Sequence, residues 1–197
     1  MSTPPRPALV PASPLRRATL RALAALVLVT LAGPAGADTV PVKAAELRLE
    51  EGDLLLTAEF DVTLTLALEE ALDKGIALYF TIEFELGRTR WYWTDEKFAQ
   101  WSITYRVSYN ALTRQYRVAS GPLGQQFESL DEVQRFISRV ASRPVARAET
   151  LTRGVKYEAA VRFKLDVNQL PKPFQINALA SRDWQLASEW YRWTFVP

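Results

Sequence analysis

The stretch GVKYEAAVRFKLDV, residues 154–167, constrains the fold most. Val155, Tyr157, Ala159, Val161, Phe163, Leu165 and Val167 occupy one side of a period-two pattern, and Lys156, Glu158, Arg162, Lys164 and Asp166 the other. That sorting is a strand with one face in a core and one in water. The pattern recurs along the chain. Ala45, Leu47 and Leu49 alternate with charges, Glu51-Gly52-Asp53 supplies a turn, and Leu54, Leu56, Ala58, Phe60 and Val62 continue as a second hairpin strand. Phe80, Ile82, Phe84 and Leu86 share a face in a later strand. Trp101, Ile103, Tyr105, Val107 and Tyr109 lead through a turn at Asn110–Thr113 to Tyr116 and Val118.

Two segments change period. Leu64, Leu68, Ala71 and Leu72 make one helical face, with Thr65 as N-cap and Gly75 past the end. In SLDEVQRFISRVAS, Ser129 and Glu132 form a capping box, and Val133, Phe136, Ile137 and Val140 form the apolar stripe. This helix is expected to end at Arg143-Pro144. NQLPKPF reads as a loop or bent edge, because Pro171 and Pro173 cannot both serve a central ladder. Two further strands are expected to close the chain. The sum is a mainly β protein, an antiparallel β-sandwich of immunoglobulin-like type with two short helices. An α+β antiparallel sheet with the helices on one face is the alternative.

Composition removes several chemistries. The sequence has no Cys and no His. Disulfides, thiol catalysis, Ser-His-Asp triads and the common hydrolytic zinc sites therefore fall away. No phosphate loop or calcium loop is present, so no cofactor and no metal is expected. The N-terminal region has the order of a secretory leader. Arg6, Arg16, Arg17 and Arg21 precede the apolar run Ala22–Ala32, and Ala35-Gly36-Ala37 gives a small-residue cleavage pattern before Asp38. The expectation is a signal peptide over 1–37, a single β-rich domain over 38–197, and export to the periplasm. An uncleaved leader, anchoring the protein in the inner membrane with the domain facing the periplasm, is the alternative. Arg16-Arg17 is not read as a twin-arginine signal, since Thr19 stands where a large apolar residue is preferred. The leader holds four arginines and no acid, so 24 Lys+Arg against 22 Asp+Glu become 20 against 22, a net −2. No nucleic-acid partner is expected from such a balance.

RTRWYWTDEKFAQW, residues 88–101, is the densest aromatic stretch. Alternation puts Trp91 and Trp93 on an inward face and Arg88, Arg90 and Tyr92 on the opposite one. If strands 88–94 and 102–109 pair, Arg106 joins that row. Arginines in adjacent rows repel unless acids or a ligand intervene. Glu83 and Glu85 are the obvious internal partners, which would make the row a solvated charge ladder. Arg88, Arg90, Tyr92 and Arg106, with Lys172 on the proline loop, are the candidate contact residues for a ligand or partner. No catalytic residue is assigned. Asp95-Glu96 with Glu83, Glu85 or Glu189 would supply two carboxylates for glycoside hydrolysis only at a catalytic separation.

RWYWTDE, SYNALTRQYRV, LDVNQLPKPFQI and DWQLASEW occur in this order. In combination they resemble an exported family of Gram-negative bacteria catalogued as a domain of unknown function, number 4390. The resemblance spans about Val42 to Pro197 and carries no catalytic residue with it. It implies a gene encoded near that of a membrane sensor kinase of the nitrogen-regulation type, an association with envelope signalling rather than a mechanism. The leading expectation is a non-enzymatic binding or adaptor domain. Its partner would be an envelope protein, such as that sensor kinase, or a cell-wall component. The alternative is a carbohydrate-active enzyme or carbohydrate-binding module acting on peptidoglycan, which requires exposed tryptophans.

Overall fold

The computed structural model describes residues 40–88 and 96–197. β1 (Val42–Glu50) and β2 (Asp53–Phe60) form the expected hairpin. Its turn is Glu51-Gly52, with φ of 51° and 88°. Positive φ at both positions gives the twist that matches paired strands, and Gly52 adopts it without strain. Leu54, Leu56, Ala58 and Phe60 point inward and are buried.

α1 (Leu66–Asp73) starts where the sequence places it. The Thr65 hydroxyl accepts from the Leu68 N–H at 3.4 Å and donates to the Asp183 carbonyl at 2.7 Å. The cap therefore also ties α1 to the short 3-10 turn Arg182–Trp184. Gly75, at φ 81°, releases the chain into β3 (Leu78–Arg88). β3 pairs on one side with β4 (Glu96–Asn110) and on the other with β8 (Tyr157–Leu165). β4 turns into β5 (Gln115–Ser120), with the Asn110 side chain accepting from the Leu112 and Thr113 N–H groups. A further strand, β6 (Leu123–Phe127), follows and pairs with β5.

α2 (Leu130–Ile137) has its expected N-terminus: the Ser129 hydroxyl accepts from the Glu132 N–H, and the Glu132 carboxylate from the Glu128 N–H. Its end differs from expectation. The helix stops at Ile137, and residues Arg139–Arg147 form β7, paired with β2. The Ser138 carbonyl accepts from the Phe60 N–H at 2.9 Å, which draws the backbone into the small sheet. Pro144 is tolerated because β7 is an edge strand.

The proline segment is also corrected. Residues Val167–Gln169 form a 3-10 turn, and Lys172–Ala180 form α3. Pro171 is its N-cap and Pro173 lies in its first turn, where backbone N–H groups have no helical partner to lose. The chain then closes with one strand rather than two, β9 (Tyr191–Phe195), which pairs with β8. Before it, Leu186–Ser188 runs beside β8: the Leu165 N–H donates to the Leu186 carbonyl, and the Ser188 N–H to that of Phe163.

The strands form two antiparallel sheets, β1-β2-β7 and β6-β5-β4-β3-β8-β9, so the protein is mainly β and sandwich-like with three α-helices among the described residues. The six-stranded sheet is a meander from β3 to β6, extended on the other flank by β8 and β9. An immunoglobulin constant domain instead divides seven strands four and three. The Phe60 ring of the small sheet lies 5.7 Å from Phe163 of the large one, and Phe163 lies 5.7 Å from Phe80. Each buried phenylalanine contributes about 1.5–3 kcal/mol of transfer free energy.

Candidate functional site

The outer face of the large sheet carries the expected charge ladder with different cations. The Glu83 carboxylate meets Arg162 Nε at 2.6 Å and Lys164 Nζ at 2.7 Å, both from β8. Glu85 pairs with Lys97 at 3.3 Å and accepts from Gln100. Arg162 lies 4.5 Å over the Trp190 ring. Partial burial alone would raise the Glu83 pKa. Hydrogen bonds from Lys164 and Arg162, together with their charges, outweigh it and hold the carboxyl below its ordinary value. A groove of about 320 Å³ opens here, lined by residues that include Glu83, Glu85, Gln100, Arg162 and Trp190. Its two carboxylates are already paired with cations, and an ionised Glu83 has no proton to give a leaving group.

Of the arginine row anticipated from the sequence, Arg88 and Arg106 are described and do not stand side by side. β3 runs on through Arg88, which sits opposite Glu96, whereas Arg106 sits opposite Tyr79. Those two positions are about 30 Å apart along β3 at about 3.3 Å per residue. Arg106 donates to the Tyr79 hydroxyl at 3.3 Å. Arg88 lines a small hollow with Glu85, Lys97, Glu158 and Arg192. Lys172 is the first residue of α3. Arg90, Tyr92, Trp91 and Trp93 lie outside the described residues.

A cleft that the sequence reading did not anticipate opens between the two sheets. It measures about 540 Å³ and is lined by Ile103, Tyr105, Val118, Ser120, Leu123, Gly124, Gln125, Phe136 and Arg143. This lies within the about 300–1,000 Å³ usual for ligand sites. Phe136 of α2 stands 5.8 Å from Tyr105 and 5.2 Å from Phe127, edge-on to Tyr105. Phe136 is 39% and Leu123 78% exposed, so the apolar wall is incompletely covered.

Arg143 is the cation of this cleft. It sits opposite buried Leu56 in the β2–β7 ladder, and cross-strand partners share a face, so Arg143 lies on the inner side of the small sheet. Immediately before it, Ser142 has φ 43°, and its N–H donates to the Thr57 hydroxyl at 3.3 Å. The β2–β7 register shifts between Leu56 and Ala58. Irregularities of this kind re-aim a side chain. The Arg143 side chain is exposed and makes no ion pair or hydrogen bond among the described residues. Burial pushes the Tyr105 hydroxyl above its ordinary pKa while the Arg143 charge pulls it down, and the phenol remains a neutral donor at pH 7. An apolar wall, a neutral hydroxyl and one unpaired guanidinium can hold an apolar group that carries a negative charge. The sequence signal was Pro144 within VASRPVAR, which suits an edge strand as well as a helix stop.

Fold and cleft together define a β-sandwich domain with an open, cationic groove between its sheets. The chain belongs to the family described as Domain of unknown function (DUF4390), which it matches over residues 37–194. No curated protein and no solved structure matches it.

Proposed function

We propose that this protein is a non-catalytic binding domain of the cell envelope that engages a protein partner through the inter-sheet cleft. The observation that carries this reading is Arg143, an exposed guanidinium lining the cleft with no side-chain ion-pair or hydrogen-bond partner among the described residues, beside the uncovered apolar wall of Leu123 and Phe136. Arg143 is exposed, so water satisfies its charge in the free protein, and a partner's carboxylate would take the place of that water. Such a charge on an edge strand also discourages edge pairing, and that role alone would leave Leu123 and Phe136 unexplained. The carbohydrate reading draws less support, since Trp184 is buried and Trp101, Trp190 and Trp193 are half-buried. Its aromatic platform would have to come from Trp91 and Trp93.

The test places a photo-cross-linking residue at Phe136 or Leu123, with the exposed turn residue Leu112 as control, and irradiates the protein in envelope extract. Discrete protein adducts at both cleft positions, absent at Leu112 and lost on adding Arg143→Glu, are expected. Equal adducts at Leu112, or none at the cleft, would reject the reading.

A further inference from the structure

Among the described residues β6 has no strand on its second edge, which bounds the cleft, and that edge differs from the other three of the two sheets. β1 carries Lys43, Glu46, Arg48 and Glu50, β7 carries Arg139, Arg143, Arg147 and Pro144, and β9 carries Arg192. Charges and prolines of this kind guard a sheet edge against added strands. β6 reads LGQQF and has neither. Leu123 and Gln125 sit opposite Ser120 and buried Val118, which puts them on the inner face above the cleft. Gly124 and Gln126 occupy the outer face.

On that outer face lies a second unpaired guanidinium. Arg117 approaches to 3.0 Å and 3.1 Å, by Nε and Nη2, from where a Cβ on Gly124 would stand. The missing side chain lets Arg117 lie across the last strand of the sheet. Like that of Arg143, the Arg117 side chain has no ion-pair or hydrogen-bond partner among the described residues. β6 therefore has an unguarded backbone edge, an apolar cleft with a cation on one face, and a cation lying over it on the other.

We propose that β6 receives an extended acidic peptide segment as an added strand. This rests on the reading of the cleft as the binding site and names the form of its occupant. Main-chain hydrogen bonds to β6 hold the segment, about 4.8 Å beyond it, and successive side chains alternate between the faces. Apolar side chains enter the cleft beside Leu123 and Phe136, and acidic ones on the other face meet Arg117. Arg143, on the cleft side, meets none of these acidic side chains directly and adds only a longer-range attraction for an acidic segment.

The probe is a fluorescein-labelled octapeptide of alternating valine and glutamate, titrated into the full-length protein by fluorescence anisotropy. Saturable single-site binding is expected. Replacing glutamate by lysine, or N-methylating the amides of one peptide edge, should weaken it by about tenfold or more. Arg117→Glu should do the same to the glutamate peptide and improve binding of the lysine peptide, with an unchanged melting temperature showing that the fold is intact. Absent binding, equal binding of the N-methylated peptide, or full affinity in Arg117→Glu would overturn the proposal. So would a concentration-dependent dimer abolished by Gln126→Lys, which would make a second copy of this chain the occupant. Cross-links at Phe136 and Leu123 that persist despite any of these results would leave the cleft reading standing and remove only strand addition.

Discussion

Glu83 faces two cations from one neighbouring strand, and a single carboxylate satisfies both. Its folded-state pKa lies below the ordinary 4.5, so the interaction stabilises the fold above that pH and is lost as acid protonates the folded carboxyl. Wild type should therefore lose stability as pH falls below about 4.5 and through the lower folded pKa. Glu83→Gln should show a shallower acid slope, measured as urea midpoints between pH 3 and pH 7, and an unchanged slope would place the acid sensitivity elsewhere. The same residue shows how far the sequence could be read. Glu83 and Glu85 were legible as partners for a cationic row, because strand alternation fixes their face. Which cations they meet was not legible. Alternation says nothing about register, which here sets Glu83 opposite Arg162 on β8 and Glu85 opposite Gln100 on β4.

Elements with a single dominant period declared themselves. β1 to β5, β8 and the starts of α1 and α2 follow from alternation or from a capping residue. The failures lie where two signals coincide. The stripe Val133, Phe136, Ile137 continues in helical phase to Val140, yet Val140 is buried as part of a strand. Helix-ending information came from a tertiary bond, Phe60 N–H to the Ser138 carbonyl, which no local pattern encodes. β6 carries only Leu and Phe as large apolar residues, too few to mark a strand, and losing β6 and β7 hid the cleft between them. In α3 the two prolines were read as breakers, although prolines at the start of a helix are start signals. Thr65 gives a test at this scale. Thr65→Ala removes both the α1 cap and the bond to the Asp183 carbonyl, and should cost about 1–2 kcal/mol in urea unfolding. Thr65→Ser should retain most of it, and equal loss in both variants would assign the effect to the methyl group.

At the scale of the molecule, the C-terminus is part of the sandwich. Trp184 and Leu186 are buried, Ser188 Oγ accepts from the Phe163 N–H at 2.9 Å, and β9 forms the sheet edge. Truncation after Asp183 removes all of these. One buried Trp truncation costs about 3–5 kcal/mol against a typical total of about 5–15 kcal/mol. The truncated chain should lack a cooperative thermal transition in circular dichroism, and a sharp melt would show β9 to be dispensable. Residues 1–37 lie outside the described part of the chain, and their reading as a leader remains a proposal. Mass spectrometry of the protein from the envelope fraction should find Asp38 as the first residue, whereas intact 1–37 in a membrane fraction would favour an anchor. The position of β3 has a further consequence for the order of assembly. β3 lies between β4 and β8 with Leu78, Phe80, Ile82, Phe84 and Leu86 buried, and it needs β8 on its second edge, with Phe80 set opposite Leu165. During synthesis, β3 and β4 emerge long before β8, so a growing chain carries Leu78–Leu86 half-sheltered until its last third arrives. Such distant pairings slow folding toward milliseconds to seconds and leave sticky intermediates on the way. Until β8 is made, the second edge of β3 is open to pairing with other chains.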